Sequence, residues 1–108
     1  MIAVRFRSDG TLLTGFEIRG HAGWADAGQD IVCAAVSSAA IMTANTLTEI
    51  SAIPCEVSSQ DGELSVLLTP QDAPRAQDLL RGFSLHMREL SRQYRNHIKV
   101  IYGGKHHA

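Results

Sequence analysis

Between Asp30 and Ser51 the only charged side chain after the first residue is Glu49, while Val32, Val36, Ala39, Met42, Thr46 or Leu47, and Ile50 recur at helical spacing. A helix this poor in charge has to be covered on most of its sides. In a chain of 108 residues that requirement dictates the architecture, because the remaining elements must be laid against it.

The remaining elements supply a sheet. Ile2, Val4 and Phe6 alternate with Ala3, Arg5 and Arg7, the period of a strand with one buried face, and Ser8-Asp9-Gly10 supplies turn chemistry. The second arm, Thr11 to Gly20, carries Leu12, Phe16 and Ile18 on one side and Glu17 and Arg19 on the other, with a bulge expected at Thr14-Gly15. This arm delivers His21 at its end. Ala22 to Gln29 has no apolar period and reads as a loop able to move as a flap, with Trp24 its only large side chain. After the helix, Cys55 to Ser59 and Glu63 to Thr69 form a second hairpin around Gln60-Asp61-Gly62, with Leu64, Val66 and Leu68 facing inward. A second helix is expected over Asp72 to Tyr94, with Ala76, Leu79, Leu80, Phe83, Met87 and Leu90 on one face, followed by a strand over His97 to Tyr102. The order strand-strand-helix-strand-strand-helix-strand describes an α+β fold: a small mixed or antiparallel sheet of about five strands with two helices packed on it, in a single domain over residues 1–108.

Composition excludes some partners. A net charge of −1 gives no electrostatic reason to bind a phosphate backbone, so no direct nucleic acid contact is expected. No stretch approaches the roughly 20 apolar residues that span a bilayer, and Arg5 and Arg7 interrupt the place where a signal peptide needs a continuous apolar run. No membrane association and a cytoplasmic location are therefore expected. There Cys33 and Cys55 are expected to be free thiols. The nearly uncharged first helix and the small core suggest that a second copy of the chain buries some apolar surface, giving a homodimer.

One segment carries more chemistry than packing requires. Asp30 is a good N-cap residue, which would place Cys33 at about the third helical position, its thiol facing the positive end of the helix. Such a setting favours the thiolate and makes Cys33 a candidate nucleophile. The bland alternative is a buried thiol packing as a small hydrophobe. His21, at the strand end, is placed to act as general base toward the helix start, or merely satisfies a loop carbonyl. Asp30 either caps its helix or holds the imidazole of His21 in the correct tautomer. Asp26 reads as a solvated loop residue. Ser37, one turn beyond Cys33, either bonds back to a carbonyl or lines the site. His21, Cys33 and Asp26 or Asp30 would be the donors for zinc, but no Cys-x-x-Cys or His-x-x-x-His spacing accompanies them, so no metal or cofactor is expected.

Gly20-His21-Ala22, a loop, and then Gly28-Gln29-Asp30-Ile31-Val32-Cys33-Ala34-Ala35-Val36-Ser37 closely resembles the signature of the bacterial ribosomal-processing cysteine protease family, Prp. The length, the element order and the position of the motif after the first hairpin resemble that family as well. The resemblance implies a homodimeric cysteine endopeptidase that removes the N-terminal extension of a large-subunit ribosomal protein, cutting just after a pair of phenylalanines. It implies Cys33 as nucleophile and His21 as general base, with Gly20, Asp30 and Ser37 at the other motif positions associated with activity or substrate contact. The phenylalanine rings then need an apolar pocket, for which Trp24 and the loop alanines are the sequence candidates. The alternatives are a non-catalytic ribosome-assembly or protein-binding module of the same fold, and a zinc-dependent hydrolase, which would be chelator-sensitive and resist iodoacetamide.

Overall fold

The computed structural model describes residues 1–20 and 27–103, and for 27–30 the course of the backbone only. The elements are β1 (Ile2–Asp9), β2 (Leu12–Arg19), α1 (Ala27–Asn45), β3 (Glu56–Gln60), β4 (Glu63–Leu67), α2 (Gln77–Gln93) and β5 (Ile98–Tyr102). This is the expected order. The five strands form one sheet in the order β3-β4-β2-β1-β5, in which β5 runs parallel to β1 and the other neighbours are antiparallel.

The alternation read in the first strand sets the layers. Ile2, Val4 and Phe6 are buried, as are Phe16 and Ile18 opposite them, and both helices cover this face of the sheet. On α1 the buried apolar side chains are Val32, Val36, Ala40, Ala44 and Leu47 just beyond its end; on α2 they are Leu80, Phe83, Met87 and Leu90. Phe16 and Phe83 rings meet at a centroid distance of 4.5 Å, joining sheet to helix. The other face carries charges, and Arg7 there donates to Glu17 at 2.7 Å.

The bulge expected at Thr14-Gly15 is present: Arg7 pairs with Gly15 and Ser8 with Leu13, leaving Thr14 without a direct partner on β1. Gln77, the first residue of α2, uses the backbone groups of Leu13 beside it. Its side-chain carbonyl accepts from the Leu13 N–H at 3.0 Å and its amide donates to the Leu13 carbonyl at 2.7 Å. The irregular strand thereby becomes the anchor of a helix.

Three expectations are corrected. The first helix begins at Ala27, not at Asp30, so part of the expected loop is helical. Gly28 had argued for loop, but its cost in a helix is only about 1 kcal/mol and Ala27 and Gln29 beside it are good helix formers. At its other end α1 passes into a π-helical turn, Thr46–Ile50, and the second helix starts with a separate 3-10 turn, Ala73–Ala76. The third correction concerns membranes: Ile31–Ile50 is long and apolar enough to cross one by length and composition. In the fold one stripe of that segment is packed into the core while Ile31, Ile41 and Met42 are exposed, so the helix is not covered on most of its sides as its lack of charge had implied.

Candidate active site

β2 ends at Arg19, and the backbone of Gly20 just beyond it fixes one side of the site. The Gly20 N–H donates to the carbonyl of Gly62, in the β3–β4 turn, at 2.9 Å. Its φ is +91°, and a Cβ built there would lie 2.6 Å from the carbonyl oxygen of Met1. Only glycine fits this crossing of three chain segments.

Cys33 approaches from the other side. It is the seventh residue of α1, in the second turn, not at the helix start. Its own N–H therefore lies within the helical ladder, and the macrodipole effect has decayed by that depth. Asp30, fourth in the helix, has a helical backbone and so is not an N-cap.

Between the two lies a cleft of about 290 Å³, lined by Gly20 just after β2, by Cys33 and Ser37 from α1, and by Ser59, Gln60 and Glu63 from the second hairpin. The Cys33 thiol is half-buried. Ser37 is exposed, and among the described residues its hydroxyl has no hydrogen-bond partner, unlike Thr43, which bonds back to the Ala39 carbonyl at 2.8 Å. Of the two readings of Ser37, lining the site is the one realised. His21, Trp24 and Asp26 lie outside the described residues, as does the side chain of Asp30. Gly20, Cys33 and Ser37, far apart in the chain, thus share one cleft.

Sequence reasoning missed the hairpin wall. Gln60 and Gly62 were read only as turn chemistry and Leu64 only as an inward strand residue, because nothing local reveals that β4 pairs with β2 and so brings its first residues beside Gly20.

The two cysteines, neither of them in a disulfide, differ in setting. Cys55 packs against the core, away from the cleft, and burial pushes its thiol up from the ordinary range. At neutral pH less of it is thiolate, so iodoacetamide is expected to label Cys33 well before Cys55. Peptide mapping by mass spectrometry against time checks this; Cys55 labelled first would contradict it.

A family model described as cysteine protease Prp matches residues 1–99. The chain belongs to the Prp family of cysteine proteases. The ribosomal processing cysteine protease Prp of Bacillus subtilis (strain 168) is 29% identical over 100 residues, spanning 87% of this chain and 89% of that relative. The fold is that of the essential ribosomal processing protease Prp from S. aureus, solved in complex with a substrate peptide: the TM-score is 0.84 at 22% identity, over 95% of this chain and 100% of that one. SMU.848 from Streptococcus mutans matches with a TM-score of 0.75 and 26% identity, over 95% and 96% of the two chains. Membership makes the protein an enzyme that cuts peptide bonds with a thiol, which is the chemistry a cysteine in an open cleft can perform.

Proposed function

We propose that this protease removes the N-terminal extension of a large-subunit ribosomal protein precursor, cutting after a phenylalanine pair, and so serves ribosome assembly. The observation that carries the reading is the placement of Cys33 in an open cleft beside Gly20, the residue before His21, in a chain of the Prp family. The B. subtilis relative is named for ribosomal processing.

In the reaction His21 takes the proton of the Cys33 thiol and the sulfur attacks the scissile carbonyl carbon. The tetrahedral intermediate collapses to a thioester as His21 gives its proton to the leaving amine. Water, deprotonated by His21, then hydrolyses the thioester, and the thiol regains its proton. Asp30 orients the imidazole; Ser37 and the backbone of Gly20 contact the substrate, as does Trp24. No metal or other cofactor takes part.

The test is hydrolysis of a fluorogenic peptide containing the phenylalanine pair. Cleavage after the second phenylalanine by the wild type, insensitive to chelator and abolished by iodoacetamide, is the expected result. Retained activity after full alkylation of Cys33 would sink the reading.

The enzyme acts in the cytoplasm, where the precursor is made, and as a homodimer. Ile31 and Met42 on α1 are 61% and 56% exposed, and α1 carries no basic residue in its last turn, so its outer side offers apolar surface to a second copy. Sedimentation at micromolar concentration is expected to give the dimer mass, and Met42→Glu to give monomer; a monomeric wild type would remove the idea.

A further inference from the structure

The cleft that holds Cys33 also has an aliphatic lining. Ile18 and Leu64 are direct cross-strand partners on β2 and β4, and they face Val36 and Ile41 of α1 across the cleft. Ile18 and Val36 are spent in the core, whereas Leu64 is only partly buried and Ile41 is 53% exposed. Two aliphatic side chains therefore stand in the cleft with packing capacity left over.

Their position relative to the thiol is set by the helix. Cys33, Ser37 and Ile41 all line the cleft and follow one another every four residues, about 6 Å of rise each, so Ile41 stands about 12 Å along α1 from Cys33. An extended peptide covers that length in about four residues. Among the described residues lining the cleft none is cationic and Glu63 is the one acid. An acidic substrate side chain thus finds no partner there, while an apolar one displaces water from Leu64 and Ile41.

We propose that Leu64 and Ile41 form the specificity subsite of this enzyme, seating a large apolar side chain of a substrate residue within about four positions of the scissile bond. The assignment rests on the protease reading of the same cleft.

The wild type, Ile41→Ser and Leu64→Phe are compared on peptides carrying Phe, Ala or Asp at each of the four positions on either side of the scissile bond, and the ratios are taken at the position where the wild type discriminates most. Ile41 is exposed, so its replacement spares the core, and Leu64→Phe fills the subsite. The expected kcat/KM ratio of Phe to Ala peptide is at least about tenfold in the wild type and falls at least about fivefold in each variant, through KM. Cleavage of the Ala peptide falls by less than cleavage of the Phe peptide in each variant. A ratio unchanged in both variants, or equal loss on every peptide, overturns the subsite.

A second readout needs no turnover. The Phe peptide should slow alkylation of Cys33 in the wild type and fail to do so in Ile41→Ser. Protection in this pattern without cleavage of any peptide would refute the protease reading and leave the subsite standing. A Phe peptide that does not protect the wild type refutes the subsite.

Discussion

Cys33→Ala is expected to lower kcat on the phenylalanine-pair peptide by at least about ten thousandfold, and His21→Ala by a similar factor. The two residues act as one unit, since the sulfur attacks only when its proton has somewhere to go. The double variant should therefore be about as inactive as either single one, not their product. The fold should be little affected by Cys33→Ala, because the thiol is half-buried at the cleft and only partly packed against the core. Steady-state fluorescence with a thermal melt on each variant checks both halves. Equal activity in wild type, Cys33→Ala and His21→Ala would exclude thiol catalysis at this cleft.

The second large effect is expected at a residue with no side chain. In Gly20→Ala the new Cβ must enter the 2.6 Å space before the Met1 carbonyl at a φ of +91°. The backbone conformation alone costs about 1–3 kcal/mol, and the clash must also push away Met1 or the strand end. Either movement reaches the chemistry: Ile2 follows Met1 and lines the cleft, and Gly20 leads directly into His21. Misplacing a reacting group by about 1 Å is worth about a hundredfold in rate, so kcat should fall by about that factor. Gly10→Ala is the control. Gly10 also has a positive φ, +65°, yet a Cβ there meets nothing within 4 Å, so stability should drop while kcat is retained. Loss of kcat in both variants alike would mean that the strand end has no special role.

Much of this was legible because binary patterns survive folding. Ile2, Val4 and Phe6 announce one buried sheet face, and the Leu80, Phe83, Met87 and Leu90 stripe announces the inner side of α2. The bulge at Thr14-Gly15 could be read from the glycine and from the shift in the apolar register. The start of α1 could not, since Gly28 is a loop signal whose cost the rest of the helix outweighs. Misplacing that start by four residues, with Cys33 seventh in the helix and not third, misassigned both the cap at Asp30 and the electrostatic setting of Cys33. Gly20, Cys33 and Ser37 could be singled out from the motif, but the companions that complete their cleft belong to a hairpin whose partner strand is a matter of topology. Leu64 has an ordinary strand pattern, and its place across from Ile18 follows from the strand order alone.

The parallel β1–β5 pair joins opposite ends of the described chain. Ile2 donates its N–H to the His97 carbonyl at 2.8 Å and pairs with Ile98. Such a closure is entropically expensive and forms late. A nascent polypeptide still lacking β5 leaves the Ile2 N–H without its His97 acceptor and one edge of β1 unpaired, at the strand whose Ile2 is also a wall of the groove.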